Sequence, residues 1–232
     1  EEGRSWRYNV EPYVDQLPGW PDLGDKERQI LLGVAERYLV EVDPQIDDWI
    51  DKHTLRNVPL AFNGYRALLL LHRQAPDRLD QLGREIWESW GPVAIDYPGS
   101  SGERDEDPCR ELARIAFARA GDQVIEVMGR LIRRDDHPRQ PLFSLNGILV
   151  ICDSKVDETL YCLLNEGDLC GSSRGQLLGV LLQRDHDPAF AWAAGQLVRV
   201  TPGAQVHTKE SVEIARAMVN HAPGCGWTHV WQ

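Results

Sequence analysis

Asp122-Gln-Val-Ile-Glu-Val-Met-Gly-Arg-Leu-Ile-Arg-Arg-Asp-Asp-His-Pro138 lies fifty positions before Ser172-Ser-Arg-Gly-Gln-Leu-Leu-Gly-Val-Leu-Leu-Gln-Arg-Asp-His-Asp-Pro188, and the two align without a gap. Five of the seventeen pairs are identical (Gly129/Gly179, Leu131/Leu181, Arg134/Arg184, Asp135/Asp185 and Pro138/Pro188), and the apolar positions coincide. Each copy reads as one amphipathic helix with a start, a buried stripe and a proline stop. A fainter copy, Leu69-Leu-Leu-His-Arg-Gln-Ala-Pro76, ends in the same order at a different spacing. A loose helical repeat of this kind predicts an all-α chain, an α-solenoid of HEAT-like antiparallel helical pairs with about ten helices.

Working outward, Ile30, Leu31, Val34, Ala35, Tyr38 and Leu39 predict a first helix with one apolar stripe. Ile46, Trp49 and Ile50 mark a short helix after Asp43-Pro44, and Tyr65 through Leu71 a more apolar one. Leu79, Leu82, Ile86, Trp87 and Trp90 continue the pattern as a buried stripe up to Gly91-Pro92. Further helices follow Asp107-Pro108, a capping box at Ser154-Lys-Val-Asp157, Asp187-Pro188 and Thr208, the last two carrying Phe190, Ala194, Leu197 and Val198, then Val212, Ala215, Met218 and Val219. No alternating run argues for a strand. The expected organisation is one helical-repeat region over 1–232. It comprises an irregular aromatic lead-in at 1–23, a first half at 24–96, a polar loop at 97–107 and a second half at 108–232.

Composition bounds the function. A formal charge of −11 opposes phosphate binding, and the best basic cluster, Arg130, Arg133, Arg134 and Arg139, is interrupted by Asp135 and Asp136, so nucleic acid is not an expected partner. Five cysteines without CxxC spacing fit a reducing, cytoplasmic setting. The longest apolar runs fall far short of the roughly 20 residues of a membrane span. The chain opens Glu-Glu-Gly-Arg and closes Val-Trp-Gln, which reads as a piece of something longer.

Three constellations carry possible chemistry. Gly171-Ser-Ser-Arg-Gly175 matches the G-x-S-x-G elbow of hydrolases, with Ser172 or Ser173 as nucleophile and Asp185 and His186 following, but the elbow needs a buried strand before it and the repeat makes Ser172 a helix cap. His221, Cys225 and His229 are spaced by four as zinc ligands would be on one helix, and Pro223-Gly224 breaks that helix. Asp135-Asp136-His137 and Asp185-His186-Asp187 place acid beside imidazole at equivalent points of both copies. Arg134, Asp135, His137, Arg184, Asp185 and His186 are therefore the candidate partner-binding residues along one edge. No phosphate-binding Gly-rich motif occurs, and no cofactor or metal is expected.

Gly19-Trp-Pro-Asp-Leu, Ala35-Glu-Arg-Tyr-Leu39, Gly64-Tyr-Arg-Ala-Leu68 with Pro76, Tyr97-Pro with Ser100-Ser-Gly102, and His221-Ala-Pro-Gly-Cys-Gly-Trp-Thr-His-Val-Trp231 together resemble the helical C-terminal region of bacterial NACHT-type NTPases of the STAND class, which include antiviral defence proteins. The resemblance implies a non-catalytic sensor that binds a protein or other trigger and acts on the remainder of a parent chain whose ATPase lies N-terminal. The family's nucleotide-binding residues have no counterparts here. The alternatives are a small hydrolase or metal-dependent enzyme at Ser173 or His221/Cys225/His229, or a freestanding helical adaptor.

Overall fold

A computed structural model describes residues 13–51, 59–96, 108–138, 140–198 and 209–222. Among them the chain is all-α, with no strand, and no helix is long and apolar enough to cross a membrane. These residues hold eleven α-helices: α1 Asp25–Glu41, α2 Ile46–Trp49, α3 Pro59–Gln74, α4 Pro76–Asp80, α5 Arg84–Asp96, α6 Pro108–Asp135, α7 Leu145–Ile148, α8 Ser154–Glu166, α9 Gly171–Gln183, α10 Asp187–Val198 and α11 Lys209–His221. The chain forms two compact units, 1–134 with 144–151 and 135–143 with 152–232. The division falls between Arg134 and Asp135, inside the first repeat copy, while 97–107, Asp107 and Thr208 lie outside the described residues.

The first unit is organised around Trp87 and Trp90 of α5, both fully buried as the stripe predicts. The Trp90 indole N–H donates to the Leu39 carbonyl at 2.9 Å, tying α5 to the end of α1, and α3 supplies Tyr65 and Leu68–Leu71 to the same core. Two details differ from the sequence expectation. Pro92 lies inside α5, not after it, and the helix runs on to Asp96 with residues 91–96 all buried. Burial on every side holds a turn that an interior proline penalises by about 3 kcal/mol. In α1 the buried residues are Leu32, Ala35 and Leu39, whereas Ile30 and Val34 face outward.

The first repeat copy does begin a helix, but as the second arm of α6: Ala120 sits at φ −142°, ψ 43°, a break just before Asp122. Val124, Val127, Met128, Leu131 and Ile132 then form its buried stripe.

In the second unit α8 buries Val156, Leu160, Leu163 and Leu164, and its cap is Asp153, whose carboxylate accepts the Lys155 N–H at 2.8 Å. The capping side chain is thus one residue before the expected Ser154. Likewise α9 starts at Gly171 after Cys170, so Ser172 and Ser173 lie in its first turn instead of capping it. In α10 the deepest positions are Ala189 and Ala193, and in α11 Ile214, Ala217 and Met218, with Val212 exposed.

The closest helix contact of this unit is written in glycine. Gly171, Gly175 and Gly179 repeat every four residues along one face of α9. A Cβ at Gly171 would stand 3.1 Å from Glu210 Cα, at Gly175 2.9 Å from Glu213 Cβ, and at Gly179 3.1 Å from His221 Cδ2. The backbone of α11 therefore lies almost directly on that of α9, and the G-x-S-x-G string is the first turn of this seam. Arg174, between two of these glycines, pairs with Glu210, donates to the Leu164 carbonyl at 3.2 Å and lies 5.0 Å over the Trp192 ring, so one side chain touches α8, α10 and α11.

Gly175→Val is expected to lose about 1–3 kcal/mol, because the added methyls must push α11 away. Gly195→Ala, on α10 with nothing within 4 Å of the new Cβ, is expected to gain about 0.5–1 kcal/mol from helix propensity alone. Urea unfolding of the two variants beside the parent chain checks the opposite signs.

Candidate functional site

The repeated edge residues divide between the units. Arg134 is buried and forms a two-pronged ion pair with Asp96 at the end of α5, Nη2 to Oδ1 at 2.6 Å and Nη1 to Oδ2 at 3.1 Å. Arg184, its counterpart, follows α9 and pairs with Asp157 of α8. In both copies the shared arginine thus holds a carboxylate on another helix of its own unit, which is a packing reason for its recurrence. Asp135 ends α6, and Asp136 next to it accepts the Cys170 N–H on both oxygens at 3.1 Å, capping α9 from a neighbouring segment. His137 is half-buried in the same segment.

Asp185 adopts a left-handed backbone, φ 53°, and is exposed, which turns the chain from α9 into α10. His186 accepts the Ala189 N–H on Nδ1 at 3.2 Å and its ring lies 5.2 Å from that of Tyr161. An accepting Nδ1 leaves the proton of the neutral imidazole on Nε2. His186 therefore caps α10, which starts at Asp187 as the Asp187-Pro188 signal predicts. Nδ1 of His186 is thus engaged at the helix junction.

Ser173 is fully buried within α9, with its hydroxyl 3.3 Å from the Cys170 sulfur, and no strand precedes it among the described residues. This is helical geometry, without the sharp strand-to-helix turn that exposes a nucleophile. His221 ends α11 with Nδ1 2.9 Å from the Gln183 side chain, and Cys225 and His229 lie outside the described residues.

Among the described residues the first unit also carries a surface recess, with a volume of about 410 Å³. Asp43, Gln45, Asp47 and Asp48 at α2 and Gln123, Glu126 and Arg130 on α6 line it, with Ser89 of α5. Arg130 is the basic group among these, and it is committed: Nη1 donates to Asp47 at 2.7 Å, and Nε and Nη2 to the two oxygens of Asp51 at 3.1 and 2.7 Å. Gln45, left-handed at φ 51°, turns the chain into α2. The recess is consequently acidic. The cluster that sequence reading treated as basic is neutralised at Arg130 by Asp47 and Asp51 and at Arg134 by Asp96, and Arg139 lies outside the described residues.

Comparison with protein-family models, with curated protein sequences and with solved structures finds no match. The reading of this surface rests on its own chemistry. Sequence analysis passed over the recess, although four aspartates between Asp43 and Asp51 were the available signal.

Hydrogen bonds donated by Arg130 hold the Asp51 carboxyl below its ordinary range, and donating to Asp51 and Asp47 raises the guanidinium further above its own. A carboxylate with a depressed folded pKa adds stability above its unfolded pKa and loses it as pH falls through the folded value. With side chains 34% and 61% exposed the Arg130–Asp51 pair is worth at most about 1 kcal/mol. Arg130→Ala is expected to lose that increment at neutral pH and low salt, and to unfold like the parent chain in strong acid or high salt. Urea midpoints at two pH values and two ionic strengths measure it.

Proposed function

We propose that this chain is a non-catalytic recognition region, a HEAT-like helical array that senses a protein or other trigger within a bacterial STAND-type NTPase, in a cytoplasmic and defence-related setting. The observation that supports it best is where the resembling residues sit. Trp20, Ala35, Leu39, Tyr65, Ala67 and Leu68 are buried, and Gly64 packs under Trp90. Within the described residues of the first unit, the likeness is thus carried by packing positions and not by any reactive group. Ser173 is buried in the first turn of α9 and His186 caps α10, as expected of a scaffold that binds without turnover.

On this reading the acidic recess beside Arg130 is the recognition surface, suited to a partner segment carrying lysine or arginine. Binding there shifts the parent between states only through a difference in affinity for them. The reading frame upstream of Glu1 is the first test: it is expected to encode a G-x-x-x-x-G-K-[ST] phosphate loop, and its absence from that frame overturns the assignment. In the parent protein, Asp43→Lys with Asp48→Lys is expected to abolish trigger-dependent ATP hydrolysis while leaving nucleotide binding intact. Unchanged activation would remove the recess from the mechanism.

A further inference from the structure

The outward face of α1 has the spacing of an interhelical seam. Lys26, Ile30, Gly33, Arg37 and Val40 follow one another at four, three, four and three residues, the alternation that keeps one stripe facing a partner helix. Ile30 is 57% exposed, Val40 60%, and Val34, which flanks the stripe, 56%. Isolated surface aliphatics need no explanation, but three along one seam of a single helix form a patch. A Cβ at Gly33 would meet nothing within 4 Å, so the centre of the face is open to close approach.

The charges on this face choose the occupant and its direction. A two-fold axis between Gly33 and Val34 would place Val34 of a second copy over Gly33, and Lys26 opposite Glu41 of the second copy, twice by symmetry. Arg37 would lie over the second copy's Ile30, covering it with its methylene stem while its head stays with Glu41, its present partner at 3.2 Å. A parallel pairing would instead oppose Lys26 to Lys26 and Arg37 to Arg37, and leave two glycines facing across a gap. The geometry points to an antiparallel, two-fold association of α1 with α1 of a second copy of this chain. It does not depend on the recognition role or on the acidic recess.

Sedimentation velocity of the 232-residue chain over a range of concentrations tests it. A reversible dimer is expected. Ile30→Glu with Val34→Glu should yield monomer at every concentration, and circular dichroism melting at a concentration where the parent chain is itself monomeric should stay unchanged because both side chains are exposed. Lys26→Glu alone and Glu41→Lys alone should each weaken the dimer about tenfold by removing two symmetric ion pairs, and the two together should restore it. A chain monomeric throughout, a dimer indifferent to the two glutamates, or a charge exchange that fails to restore association would each overturn the pairing.

Discussion

Asp96→Asn is expected to destabilise the first unit by about 3–5 kcal/mol, a large part of the roughly 5–15 kcal/mol available to a folded domain. The Arg134 guanidinium is 2% exposed and the Asp96 carboxylate 1%, so the change takes the charge partner from a buried cation that cannot shed its proton. Arg134→Met takes it from the buried carboxylate instead. The double replacement Asp96→Leu with Arg134→Met removes both charges and should stand within about 2 kcal/mol of the parent chain, or above it. Urea denaturation at pH 7 distinguishes all three. The equivalent pair in the second unit is wetter, Arg184 15% and Asp157 22% exposed, and Arg184→Ala should cost correspondingly less. Equal positions in a repeat therefore carry unequal energies, because burial multiplies the penalty of an unpaired charge.

The contrast marks what the amino-acid string reveals. Helix α8 was legible because its leucines occupy a single face, and the seventeen-residue repeat was legible because proline and aspartate punctuate it. Helix α1 was legible as a helix but not in its buried face: Leu32, Ala35 and Leu39 make one apolar arc and Ile30, Val34 and Val40 another, and periodicity cannot say which arc faces a core. The cap of α8 slipped by one residue to Asp153 because several adjacent polar side chains can accept the same N–H, and tertiary packing chooses among them. The acidic recess depends on Arg130 reaching Asp51, 79 positions away, a meeting that no local pattern encodes. The G-x-S-x-G string was visible, but its glycines serve contact with α11, which only the neighbour's position discloses.

Gly64→Ala should be among the most damaging single-methyl additions in the chain, and the reason is again a neighbour far away in sequence. The new Cβ would fall 1.8 Å from Cζ3 of Trp90 and within 2.5 Å of two more ring carbons, overlap that no side-chain adjustment of alanine can relieve. The indole cannot slide aside cheaply. It is fully buried, and moving it would break its N–H bond to the Leu39 carbonyl. Overpacking of this severity is expected to cost about 3 kcal/mol, more than the roughly 1 kcal/mol that alanine gains over glycine in a helix. Trp90→Leu alone should cost a similar amount through the cavity it leaves. Combined, the two should cost well under their sum, because the smaller side chain vacates the volume the methyl needs, and a double-mutant cycle in urea reads this coupling directly. Strict additivity would mean that α3 does not rest on the indole face. The resembling stretch Gly64-Tyr-Arg-Ala-Leu68 would then lose its packing explanation, and with it the main structural support for the recognition role.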